Sequence, residues 1–341
     1  MKYKNTLLLI AFFILLAIGL LYLRPIPTVK GEVIRVGYNP QSLNHAPIMV
    51  GIEKDFFNKR GVRVEFIPMN GSKEVKQGLA SGSIDIGLAG SGNFYLLVSK
   101  GVPVKIITTI SFSPSYVMVR ANELVSFKDM EGKRIADNPT GSSANNLLSV
   151  MQAEGVDIKK AKFVDIDTEL KILALMNQKV VDIVPVDDVE YEQYLKAGAI
   201  VLPEWITKGY SNKNVARTSV AVNTAFLDSQ EVLIRLFLDG LTDSLDFIEN
   251  NPHDAAQLVA AYMNKESLGV IEFTSEEIEK EWQQKTVIYS AAGNPTQLEK
   301  EATMAYEIGV LEKKITLQNF YDSRFATKLE AAEKNIYGKT E

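Results

Sequence analysis

The sequence predicts an α/β protein of two lobes, each built on a sheet of parallel type, with a helical C-terminal part. Three observations predict it. The chain is 341 residues long, which suits two domains better than one. From residue 33 to residue 222 short β-rich runs alternate with helical stretches, the pattern of βαβ units. Beyond residue 222 the pattern turns almost wholly helical.

The first series reads as strands at 33–38, 62–67, 84–88 and 104–110, with helices at 45–58, 72–80 and 92–100 between them. A second series begins after Ser111–Ser115, with strands near 116–119, 133–137, 162–166, 181–186 and 199–202. After a last β-like run at 216–222 come helices at 229–249, 252–264, 274–283, 296–310 and 322–335. Asn251-Pro252 sets proline in a first helical turn, and Thr274 followed by Glu276 and Glu277 sets acids where the helix dipole favours them. No internal repeat, low-complexity tract or heptad array is visible.

Composition excludes several chemistries. A formal net charge of −5 and no basic stripe interleaved with aromatics argue against nucleic acid as a partner. The absence of cysteine removes thiol nucleophiles, disulfides, zinc knuckles and a lipid-modified N-terminal cysteine together. His45 and His253 are the only histidines, so no metal site and no cofactor are expected.

Lys2 and Lys4 precede an uncharged apolar run from Leu7 to Leu23, followed at once by Arg24 and Pro25. That reads as an export segment. No small-x-small cleavage site follows it, so residues 1–32 are expected to be an uncleaved membrane anchor, residues 7–23, and its linker. The chain is then expected on the extracytoplasmic face of the membrane, or secreted or periplasmic if the segment is cut.

In open parallel sheets ligands bind beyond the carboxyl ends of the strands, facing helix N-termini. Four turns there are small and polar: Asn39-Pro-Gln-Ser-Leu-Asn-His45, Asn70-Gly-Ser72, Gly90-Ser-Gly-Asn93 and Asn138-Pro-Thr-Gly-Ser-Ser143. One such turn serves equally to join strand to helix; four together mark a site. The candidate ligand-binding residues are Gln41, Ser42, Asn44 and His45, then Gly71 and Ser72, then Ser91, Gly92 and Asn93, and finally Gly141, Ser142 and Ser143. Asp187, at a second-lobe strand end, is expected to face the cleft and meet a positive part of the ligand.

Four segments resemble one family in order and spacing, over roughly residues 33–265. They are VIRVGYNPQSLNHAPIMVGIEKDFFNKRGVRVEF, GSKEVKQGLASGSIDIGLAGSG, SFKDMEGKRIADNPTGSSANNLLSVMQAEGVDIKKAKFVDID and FLDGLTDSLDFIENNPHDAAQLVAAY. They are similar to the solute-binding proteins of ABC transporters for aliphatic sulfonates, taurine and nitrate, and to related binders of the thiamine pyrimidine precursor. Where many members carry a tryptophan-acid-proline segment, this chain has Val186-Asp187-Asp188-Val189.

The resemblance implies a type II periplasmic-binding-protein fold. The first lobe would hold 33–112 plus 222–341 and the second 113–221, with two chain crossings as hinge. It implies a monomeric clamp that takes a small organic anion or zwitterion, sulfonate- or taurine-like, and hands it to a permease. The anionic group is expected between the helix starting at Ser142 and the turns at Ser72 and Ser91, without a Lys or Arg. An enzyme on the same fold with His45 as base, and a membrane-tethered sensor domain, are the alternatives. No phosphate-binding Gly-Lys loop, metalloprotease His pair or nucleophile elbow occurs, and the cysteine cluster of the related pyrimidine-synthesising enzymes is missing.

Overall fold

The computed structural model describes residues 32–166, 168–212, 215–266, 273–283, 287–292 and 295–325. The strands in chain order are β1 (Val33–Tyr38), β2 (Arg63–Pro68), β3 (Ile86–Ala89), β4 (Val104–Ser113) and β5 (Ser115–Arg120). They continue as β6 (Arg134–Ala136), β7 (Lys162–Val164), β8 (Ile183–Asp187), β9 (Ala199–Val201), β10 (Val215–Asn223) and β11 (Ile288–Ala292). Two sheets result, ordered β11-β4-β10-β3-β1-β2 and β7-β6-β8-β5-β9.

Both sheets are mixed rather than parallel throughout. β1 runs parallel to β2 and β3, but β10 is antiparallel to β3 and β4, and β5 is antiparallel to β8 and β9. The cause is the crossing between sheets. β4 ends at Ser113 and β5 starts at Ser115, so the chain enters the second sheet without the helix that would turn it parallel.

Seven helices bear on the core and the site: α1 (Ala46–Glu53), α2 (Ser72–Ser81), α3 (Ser91–Ser99), α4 (Ser142–Ala153), α5 (Glu231–Asn250), α6 (Pro252–Glu266) and α7 (Pro295–Glu307). The helix expected over 45–58 is broken, because Asp55 takes a left-handed φ of 59° and a new short helix starts at Phe56. The strand β11 replaces irregular chain between two expected helices. Of the helix expected over 322–335, Asp322 is outside any helix, Ser323–Phe325 is a single 3-10 turn and residues 326–335 lie outside the described ones. The apolar segment 7–23 also lies outside them; among the described residues no helix is long and apolar enough to cross a membrane.

The first sheet is covered on both faces, and its strands alternate accordingly. Val220 and Val222 of β10 join a core with Ile34, Val36, Phe237 and Leu241, whereas Ala221 between them joins Val75, Phe94, Tyr95 and Ile106 on the other face. Helices α1, α5 and α6 close the first of these faces, and α2, α3 and α7 the second. The second sheet has its own core around Val117, Ile135, Leu147, Ile183 and Trp205.

The same ionic device closes both sheets. Arg35 of β1 grips Asp85 with its backbone N–H at 2.9 Å and its guanidinium at 2.7 and 3.0 Å. Arg134 of β6 grips Asp182 in the same way, at 3.0, 2.7 and 2.9 Å, and the Asp182 carboxyl is held well below the usual range by that guanidinium.

Helix α7 belongs to both units. Leu298, Ala302 and Ala305 pack on the first sheet's core, while Met304 sits in the core of the second. Its buried Glu301 accepts hydrogen bonds from Ser91 Oγ at 2.9 Å and Tyr95 OH at 3.2 Å. On the other side Ser149 Oγ meets Met304 Sδ at 3.4 Å and Gln152 donates to Glu307 at 3.1 Å.

Candidate ligand cavity between the two sheets

A polar cavity of about 220 Å³ lies where β1, β2, β3 and β6 end and their helices begin. It is lined from the first unit by Asn39, Ser42, Asn44, His45, Gly71, Ser72, Gly90 and Asn93, and from the second by Asp137, Gly141, Ser142 and Ser143. Most of the expected binding residues therefore converge. Gly71 turns the chain into α2 at φ 132°, a conformation open to glycine alone at low cost.

His45 is buried and its Nδ1 accepts the Asn39 backbone N–H at 2.9 Å. Burial pushes its pKa down to about 3, so the ring is neutral. With Nδ1 occupied as acceptor, the proton of the neutral ring sits on Nε2 and the imidazole can only donate further. In that arrangement the ring is a hydrogen-bond donor toward the cavity. Asn44 adds a shielded Oδ1 that has no hydrogen-bond partner.

At α4 the first-turn N–H groups of Ser142 and Ser143 have no intrahelical acceptor. Asn145 N already reaches Gly141 O at 3.0 Å, and Asn138 N reaches Asp137 Oδ1 at 2.9 Å. Asp137 is ion-paired to Lys171 Nζ at 3.2 Å, and burial raises its carboxyl despite that pairing.

Three expected residues sit elsewhere, and for a fourth the side chain is not described. Gln41 is exposed beyond the rim. Ser91 turns its hydroxyl to Glu301 rather than to the cavity. Gly92 packs directly against the second unit: a Cβ there would fall 2.3 Å from Thr140 O and 2.6 Å from Asn145 Nδ2. Asp187 ends β8 opposite Ser115, and its side chain lies outside what is described.

Sequence reasoning missed Arg217. It stands on β10, 4% exposed, and lines the cavity beside Thr218. Its Nε donates to Ser113 Oγ at 2.6 Å, its Nη1 to Ser143 Oγ at 2.8 Å, and its Nη2 to Pro114 O. One guanidinium thus ties the crossing between sheets, the start of α4 and the cavity wall together. The signal was present: VARTSVAVN places a lone cation in a run otherwise fit for a central strand.

A family model described as NMT1/THI5 like matches residues 42–255, more than half of the chain. The chain belongs to the NMT1/THI5-like family. The putative thiamine biosynthesis protein of Haemophilus influenzae is 24% identical over 137 residues, 40% of this chain and 44% of the relative. The chain spans about half the length of the curated relatives it matches. Among solved structures, the alkanesulfonate-binding protein of Xanthomonas axonopodis pv. citri bound to MOPS superimposes with a TM-score of 0.66 at 15% identity, covering 85% of this chain and 98% of that one. The periplasmic nitrate-binding protein of Synechocystis gives 0.64 at 13% identity, covering 91% and 92%. At these identities the likeness establishes the fold, that of the periplasmic binding proteins. Within this NMT1/THI5-like chain no group of three or more His, Cys, Asp or Glu among the described residues is placed to hold a metal ion.

Proposed function

We propose that the protein is the solute-binding component of an ABC importer, held on the extracytoplasmic face by its N-terminal segment, and that it captures a small organic anion or zwitterion without transforming it. The two sheet units act as clamp lobes, 33–113 with β10 and the segments after it in one and 115–212 in the other, so that residues 215–221, expected in the second lobe, fall in the first; the crossings at Pro114 and before β10 serve as hinge. The observation that carries this reading is the polar cavity between them, with Arg217 and the start of α4 converging on it. A buried guanidinium and open helix N–H groups favour a carboxylate, sulfonate or nitrate. An ammonium group at the other end of a taurine-like zwitterion would find an acceptor at Asn44 Oδ1 or at Asp187. The likeness to sulfonate-binding and nitrate-binding proteins supports the same reading.

The thiamine pyrimidine precursor is the competing ligand, favoured by the family and by the Haemophilus relative. A heteroaromatic ring calls for an aromatic platform, and none of the described residues lining the cavity is Phe, Tyr or Trp. Calorimetry with taurine, alkanesulfonates, nitrate and an aminopyrimidine tests the choice. An anion should bind, and Ser142→Asp should abolish its binding while leaving the fold intact, because an acid at that helix start repels the ligand yet suits the helix dipole. Binding of the pyrimidine alone, or wild-type anion affinity in the folded variant, would overturn the reading.

A further inference from the structure

We propose that Gly92 sets how closely the two lobes come together, because the clamp closes there backbone against backbone; this rests on the clamp reading. Gly92 lies in the first turn of α3, in the first lobe, and its backbone is ordinary helix. The helix itself does not call for glycine, since alanine is the better helix former. What calls for it is the other lobe. The three atoms nearest to a Cβ at this position are Thr140 O at 2.3 Å, Asn145 Nδ2 at 2.6 Å and Thr140 C at 2.9 Å, all from the second lobe.

Two of the three are main chain, so no change of rotamer clears them. The turn that carries them is pinned as well. Asn138 Oδ1 accepts from Thr140 N at 3.0 Å and from Thr140 Oγ1 at 2.7 Å, and Asn138 O accepts from Gly141 N at 2.8 Å. The same Thr140 hydroxyl reaches Asn93 Oδ1 across the seam at 3.3 Å. A methyl group at position 92 must therefore hold the lobes apart by about 1 Å to reach ordinary contact. The seam borders the cavity, which Gly90 and Asn93 line from one side and Gly141, Ser142 and Ser143 from the other. A ligand bonded to both walls loses hydrogen-bond strength across such a gap. The contacts of α7 across the same boundary, Met304 with Ser149 and Glu307 with Gln152, are made by side chains that can adjust.

Taurine, ethanesulfonate, nitrate and an aminopyrimidine are titrated into the wild-type protein by calorimetry, and the tightest binder is carried into solution scattering. Wild type should contract when saturated. Gly92→Ala should bind that probe more weakly by roughly tenfold or more and contract less at saturation. Its melting transition without ligand should stay cooperative, since alanine suits α3 itself. Adding Asn138→Ala, which unpins the turn, should restore part of both the affinity and the contraction. Wild-type affinity and contraction in Gly92→Ala, or no recovery in the double variant, would overturn the proposal while leaving the clamp standing. So would loss of folding in Gly92→Ala, because the seam would then belong to the fixed fold and not to a moving boundary. Binding of none of the four probes, or wild-type binding without contraction, would overturn the clamp reading and this inference with it.

Discussion

His45 shows how burial sets chemistry at the scale of one residue. Its ring is neutral when folded down to about pH 3, whereas in the unfolded chain it takes a proton near pH 6.5. The stability it confers is therefore complete above pH 6.5 and lost progressively as the pH falls toward 3. His253, exposed and raised by Glu279, acts weakly in the opposite sense. Urea unfolding should register a loss attributable to His45 of about 2 kcal/mol between about pH 7 and about pH 5. His45→Gln should abolish that part of the slope; an equally steep loss in the variant would show that other groups carry it. The neighbours of His45 also mark what was legible. Small polar residues at strand ends were readable because the turn chemistry that makes them good caps also makes them good ligands. Arg217 stood out locally as a lone cation in a strand-like run, but its role was not readable, because that depends on β10 lying beside β4, a pairing across more than a hundred residues. Ser91 was misplaced for a related reason: its partner Glu301 is contributed by α7, far along the chain.

Among the elements, α7 has the least expected position, since it was read simply as one of several C-terminal helices. Its two-sided packing makes it a clasp across the clamp. Glu301 fixes it to α3 of the first lobe, and Met304 inserts into the core of the second. In the proposed clamp, opening the lobes withdraws Met304, so truncating it penalises the closed state selectively. Burial losses for Met to Ala are about 2–5 kcal/mol when fully felt, and a share of that lowers ligand affinity by roughly tenfold. Met304→Ala should bind more weakly and give a larger radius of gyration in solution scattering without ligand. Unchanged affinity and an unchanged radius would mean that α7 does not span the moving boundary. The strands were largely readable from their composition. Their directions were not, because β5 and β10 are turned by passage between sheets. The matched grips of Arg35 on Asp85 and Arg134 on Asp182 reveal a likeness between the lobes that the sequence does not display, since a pair of residues is enough to carry it.

For the whole molecule, the insertion of one unit within the other has a kinetic consequence. β10 lies between β3 and β4 in space, yet it follows the entire second sheet in the chain. During synthesis, which runs from the N-terminus, the first sheet remains in two unjoined pieces until residues 215–223 emerge. The second sheet is contiguous, from Ser115 to Val201, and closes with shorter loops. Refolding should accordingly begin in the inserted unit. In pulse-labelling hydrogen exchange, amides of β6 and β8 should gain protection before those of β3 and β4; the reverse order would contradict this. Until β10 docks, β3 and β4 each expose an unpaired inner edge, the kind of surface on which chains aggregate. The middle strand of the first sheet, being the last of its inner strands to arrive, sets how long that exposure lasts.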